Sequence, residues 1–306
     1  MTFFWGVVMM QARGYKPLLW ILAALLWQPP AAAHTVVTYP QSGSAQDSRY
    51  EYDWAVLRAA LEKTRARFGP FTLRHSDTTM SPARVSQELL APDGHINVLV
   101  RATSQSLEQQ FLPIRIPVDR GLLGYRVFLV RGADLSQFAA VRTLDDLRKL
   151  RAGQGKGWAD VAVLKAAALP VVEGSTYEGL FPMLQAGRFD FFSRSIDEAL
   201  REHAERRDEL PGLAVESTLM LQYPLPRYFF ARRDAEGRQL AARVEAGLET
   251  MLRDGSLNAL FYKYKGALIE QAGLQHRRVL RIANPELSPQ TPLGRRELWY
   301  DPYSGK

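Results

Sequence analysis

Short β-branched or aromatic runs alternate with amphipathic helical stretches along most of this chain, and that alternation restricts its fold more than any single motif. TVVTYP from Thr35, FTLRHS from Phe71, INVLV from Ile96, GYRVFLV from Gly124, PVVE from Pro170, FDFFS from Phe189, LMLQY from Leu219 and RYFFA from Arg227 read as strands. The stretches between them carry helical signals. Residues 50–69 place Trp54, Leu57 and Leu61 at helical spacing before a Gly69-Pro70 stop. Ser81 caps a helix whose first residue is Pro82, and Thr143 with Asp145 and Asp146 opens LDDLRKL. Ser175 and Glu178 form an S-x-x-E capping box ahead of TYEGLFPMLQAG, inside which Pro182 predicts a kink or a later start. A long helix carries Leu240, Val244, Leu248 and Met251 on one face, and an Asp254-Gly255-Ser256 turn separates it from LNALFYKY. Strands that cross over through helices build mostly parallel sheets, so the expected class is α/β. INVLV, almost wholly apolar, suits a buried parallel strand.

The N-terminus stands apart from this pattern. Arg13 and Lys16 precede the apolar run PLLWILAALLW, and Ala31-Ala32-Ala33 supplies an A-x-A site before His34, the layout of a secretory signal peptide over residues 1–33. The run is shorter than the ~20 residues of a membrane-spanning helix, and Gln28-Pro29-Pro30 interrupts it. The mature chain is expected in the periplasm. Cysteine is absent, which excludes disulfides, thiolate catalysis and a lipid-modified cysteine anchor. Formal charge falls from +7 to +5 without the leader, because only Arg13 and Lys16 leave, and the remaining charges are interspersed. Nucleic acid is not expected as a partner.

The segment AGQGKGW, residues 152–158, raises the question of a phosphate cradle. It has neither the G-x-x-x-x-G-K-[ST] nor the G-x-G-x-x-G spacing, and LRKLRA before it is too polar for the strand a dinucleotide fold requires. Two readings remain: a tight loop whose N–H groups favour an anionic ligand part at a helix start, or a turn whose glycines only satisfy positive φ. The five histidines share no metal spacing, no G-x-S-x-G elbow is present, and Asp53, Asp160 and Glu178 sit at helix beginnings where capping accounts for them. No cofactor and no catalysis are expected.

TLDDL with GQGKGWADVAVLKAA, then STYEGLFPMLQAGRFDFFSRS, then LETMLRDGSLNALFYKYKG resemble, in order, elements of the type II periplasmic solute-binding proteins of family 3. The matching positions are Asp146-Leu147, Leu184 through Asp190, and Leu252 through Tyr264. The resemblance implies a two-lobed α/β fold, two mostly parallel sheets joined by two crossing hinge strands near Gly124-Tyr125 and Gln222-Tyr223. Lobe 1 would be residues 34–123 with 225–306, including a C-terminal extension, and lobe 2 residues 124–224. A small-molecule solute would lie between them, passed to a membrane permease complex by a monomeric binding protein. Amino-acid binders of that family carry T-x-x-R in lobe 1 and an acid after the strand that follows the GrvDa motif. Here the first region reads TSQSLEQQF, and Ser193 and Arg194 occupy the second. A polar or anionic solute, amino-acid-like or an organic acid, is therefore expected. The candidate contacts are Tyr39, Arg101, Thr103, Gln154, Lys156, Trp158, Ser193 and Arg194. A transporter-independent ligand sensor is the alternative, with an enzyme on the same scaffold a more distant one.

Overall fold

The structure is a computed structural model that describes residues 1–2, 34–41 and 50–303. The leader expected over residues 1–33 lies almost wholly outside the described residues. The chain opens with β1 (Thr35–Gln41), α1 (Glu51–Lys63), α2 (Arg65–Phe68), β2 (Phe71–Thr79), α3 (Pro82–Leu90) and β3 (Val98–Ala102). α4 (Gln105–Gln110) and β4 (Leu112–Ile114) follow. β1 pairs parallel with β2, whereas β1 and the start of β3 are joined through Asn97, whose N–H donates to the Thr38 carbonyl at 3.0 Å. Its side chain adds two bonds, donating from Nδ2 to the Val36 carbonyl at 2.7 Å and accepting from the Thr38 N–H at 2.9 Å. The Ser81 hydroxyl accepts from the Arg84 N–H at 3.3 Å, so α3 begins where the serine-proline pair predicts.

β5 (Tyr125–Arg131) then leaves for a second sheet. There the chain adds α5 (Leu135–Ala139), α6 (Leu144–Leu147), β6 (Ala152–Gly155), α7 (Ala159–Ala166), β7 (Val171–Gly174), α8 (Tyr177–Gln185) and β8 (Phe191–Ser195). α9 (Ile196–Arg206), β9 (Leu213–Val215) and β10 (Leu219–Gln222) complete this stretch. The chain returns through β11 (Arg227–Ala231), which lies between β3 and β4, and builds α10 (Ala235–Arg253) and α11 (Ser256–Ala272). The second sheet runs in the order β12-β10-β5-β8-β6-β7, with β9 beside β5. Every antiparallel ladder involves β5 or β11, the strands that enter and leave the second lobe; the remaining ladders are parallel. The α/β class is the one the alternation of strands and helices predicts, and the two lobes are those the resemblance implied.

Three local readings are corrected. AGQG is not a loop but β6, a fully buried strand between β7 and β8. Its glycines are there for packing, since a Cβ on Gly153 would lie 2.3 Å from the Phe189 ring and one on Gly155 2.3 Å from the Trp158 indole. Thr176 rather than Ser175 caps α8, accepting from the Gly179 N–H at 3.2 Å. β12 (Arg278–Arg281), from the segment expected in lobe 1, pairs parallel with β10 in the second sheet. Its register is not visible as periodicity in so short and basic a run as RVLR.

From β12 the chain crosses back beside the other two connections. The Ile282 N–H donates to the Gln222 carbonyl, and Asn284 Nδ2 donates to the Pro224 carbonyl at 3.0 Å. The tail then runs along lobe 1, where the Gln105 N–H donates to the Glu286 carbonyl and Arg295 pairs with Glu249 on α10 at 2.6 Å. It ends on the first crossing: the Trp299 ring covers Gly121, Tyr300 accepts from Tyr125 Oη at 2.6 Å, and the Tyr300 N–H donates to the Arg120 carbonyl. The C-terminal extension is thus a third connection between the sheets.

Candidate functional site

The helix starts after β1, β3, β6 and β8 converge on one cleft between the two sheets, as expected for open α/β folds, whose sites lie beyond the carboxyl ends of the strands. Its narrow part, about 390 Å³, is walled on the lobe 1 side by Tyr50, Trp54, Arg101 and Arg227, and on the lobe 2 side by Ser195, Asp197, Glu198 and Arg201. It widens past Leu123 into an open trough of about 1330 Å³ floored by Trp158, Asp160, Tyr177 and Arg194.

An aromatic stack forms the lobe 1 wall. Trp54, one turn into α1, lies face to face with Tyr39 at 4.3 Å and 24°, and Tyr50 and Phe229 flank it at 6.3 Å. Such a surface offers a ligand a large, rigid apolar contact. At the end of β3, Arg101 donates from Nη1 to the Ser86 hydroxyl at 3.0 Å and from Nη2 to the Pro82 carbonyl at 3.2 Å. These bonds aim the guanidinium without neutralising it. Among the described residues no carboxylate lies within ion-pair distance of Arg101, and burial pushes its pKa below the usual arginine range.

Among the described residues, the other charges on the narrow part of the cleft have counter-charges. Arg227 on β11 reaches Asp53 at 2.7 Å. Burial pushes the Asp53 carboxyl up to about 6, with the Arg227 guanidinium opposing. Lys265 on α11 crosses to Asp197 in the first turn of α9 at 3.0 Å, an ion pair that joins the two lobes. Burial alone would raise Asp197, but the Lys265 ammonium and the Ser195 hydroxyl, which donates at 2.7 Å, hold its carboxyl well below the usual range. Glu198, half-buried like Asp197, is held low by Arg194 at 3.1 Å and Arg126 at 3.4 Å. Arg126 also reaches Asp160 at 2.6 Å and donates to Tyr223 Oη at 3.1 Å, while Tyr223 Oη donates to Asp160. Arg194 meets Glu202 at 2.5 Å beneath the Trp158 ring, whose centroid is 5.0 Å from its guanidinium carbon. Buried charges persist when paired in this way, because an orphaned one costs several kcal/mol.

Three of the eight expected contacts, Arg101, Trp158 and Arg194, line this cleft. Tyr39 lies behind Trp54 as a stacking partner. Thr103 is buried and donates to Glu108 at 2.8 Å. Gln154 and Ser193 are buried in the second sheet, Gln154 Nε2 donating to the Ser193 carbonyl at 3.0 Å. Lys156 is exposed and lines neither part of the cleft. The residues not anticipated are Tyr50, Trp54, Arg227, Asp197 and Glu198. One signal pointed to the last two: Ser195-x-x-Glu198 is a capping box set directly after a buried strand, which puts a helix N-terminus at the carboxyl edge of the sheet. Among the described residues no group of histidines and carboxylates could hold a metal ion, and no helix is long and apolar enough to cross a membrane.

No protein-family profile and no curated protein matches the chain. Solved structures do. An ancestral arginine-binding protein bound to arginine superposes with a TM-score of 0.51 at 16% identity, covering 76% of this chain and 98% of its own. The structure of an ancestral arginine-binding protein bound to glutamine gives the same figures. At that identity the likeness defines the fold: the chain has the two-lobed, type II periplasmic binding protein architecture. Within that class it is similar to solute-binding proteins.

Proposed function

We propose that this chain is an exported solute-binding protein that captures a small polar or anionic solute between its lobes and presents it to a membrane permease complex. The observation that carries this reading is Arg101, a guanidinium with no ion-pair partner among the described residues, set beside an aromatic wall in a cleft bounded by both sheets. A carboxylate or similar oxyanion would take its hydrogen bonds in a bidentate geometry, and the ligand body would pack on Trp54 and Tyr50. Residues 34–123 with most of the returning segment 225–306 form lobe 1, and residues 124–224 with β12 form lobe 2. The lobes hinge where the crossings pass Gly124 and Tyr223. Capture is non-catalytic, the protein works as a periplasmic monomer without a lipid anchor, and no cofactor takes part.

The test is a thermal-shift and calorimetric screen of the mature protein against organic acids, amino acids and sugars. A compound with Kd near the micromolar range, about −8 kcal/mol, is expected, and Arg101→Met should abolish its binding. Turnover of a compound, or no ligand among anions and zwitterions, would defeat the reading.

A further inference from the structure

Resting on that reading of the cleft, we infer that Lys265 is a built-in ammonium that sets specificity: the site takes organic acids that lack an amino group and rejects the amino acids of the same skeleton. The inference comes from matching each charge on the narrow part of the cleft with its partner. A ligand ammonium needs an uncompensated carboxylate, and the carboxylates lining the narrow part of the cleft are Asp197 and Glu198, both compensated. Asp197 is already occupied: Oδ2 accepts from Lys265 at 3.0 Å, and Oδ1 accepts from the Ser195 hydroxyl at 2.7 Å and the Glu198 N–H at 3.1 Å. Glu198 is shared between Arg194 and Arg126 and also accepts from the Ser195 N–H at 3.1 Å.

Lys265 itself is fixed in place. It reaches Asp197 from the opposite lobe, and its Nζ stands 5.5 Å from the centroid of the Tyr52 ring. The remaining nearby carboxylates are out of reach. Asp53 and Asp119 line a small space of about 10 Å³ behind Arg227, room for about one water and not for a carbon bearing an amine. Asp119 spends its oxygens on the N–H groups of Gly121 and Leu123, at 3.1 and 2.9 Å. Among the described residues, the unmatched charge on the narrow part of the cleft is positive and belongs to Arg101. A ligand that brings an anion fills the vacancy in the charge pattern, and one that also brings an ammonium must compete with Lys265 for Asp197.

Matched pairs that differ only in the amino group decide the matter: succinate against aspartate, glutarate against glutamate, propionate against alanine, measured by calorimetry on the wild-type protein. In any pair that binds, the acid without the amine is expected to bind at least tenfold more tightly, about 1.4 kcal/mol. Lys265→Met should shrink that ratio at least tenfold by leaving Asp197 free for a ligand ammonium, and Lys265→Arg should keep it. An amino acid that equals or outbinds its partner in the wild-type protein overturns this inference and leaves the solute-binding reading standing, and so does an unchanged ratio in a folded Lys265→Met protein. If neither these pairs nor the broader screen of anions and zwitterions yields a ligand, both fall. The wild-type comparison needs no variant, so a Lys265→Met protein that fails to fold does not shield the inference.

Discussion

Gly124 marks the point where two connections between the lobes pass each other, and replacing it with alanine isolates that contact. A Cβ at this position would lie 2.0 Å from the Tyr223 carbonyl oxygen and 3.2 Å from the Leu225 nitrogen. Ordinary van der Waals separation begins near 3.4 Å, so the crossings must part by more than an ångström. Parting them sacrifices the hydrogen bond from the Tyr223 N–H to the Gly124 carbonyl at 3.2 Å. That bond contributes about 1 kcal/mol net, and overpacking a close contact costs a further ~1–3 kcal/mol. Alanine returns ~0.4–1 kcal/mol by restricting the unfolded chain, because the φ of Gly124 is outside the left-handed region. The net destabilisation is then about 1–3 kcal/mol, a Tm lower by roughly 2–5 °C for a chain of this size. Gly132→Ala is the control, since its Cβ would meet nothing nearer than the Gly212 carbonyl at 3.5 Å. Thermal unfolding of the two variants side by side measures the difference. A Gly124→Ala protein that melts no lower than Gly132→Ala would refute the steric account of the crossing.

Three further outcomes are expected. Arg101→Met removes two hydrogen bonds to α3 and its N-terminus, so it should lower stability by about 1–2 kcal/mol in urea titration while eliminating ligand-induced thermal shifts. The folded-state pKa of Asp53, near 6, exceeds the ~3.9 of an unfolded chain, so its contribution to stability is fully present below about pH 4 and is lost as pH rises through 6. That change, on the order of 2–3 kcal/mol, should be flattened by Asp53→Asn in denaturation curves taken from pH 4 to 7; an unaltered slope would assign the titration to other groups. Removing residues 283–306 uncovers Gly121 and Tyr125 and deletes the third connection, so hydrogen exchange at residues 121–125 should accelerate by more than tenfold while the strands of the second sheet keep their protection.

Local chemistry was legible in the sequence because its causes are local. The strand and helix alternation, the Ser81-Pro82 start, the Thr143–Asp146 capping box and the buried Leu240, Val244, Leu248 and Met251 face all depend on residues a few positions apart. The position of Arg101 at the end of an apolar strand was legible for the same reason. Tertiary structure alone decided what depends on distant partners. AGQG becomes a buried strand because β7 and β8 arrive on either side and the Phe189 and Trp158 rings fill the space its glycines leave. RVLR becomes β12 because β10 presents it with an open edge. The ion pairs of Lys265 with Asp197 and Arg227 with Asp53 join residues far apart in the chain and so have no sequence spacing to betray them. The sequence determined which segments are strands and helices; packing determined which charges are left without a partner, because neutralisation is a matter of a few ångströms in space.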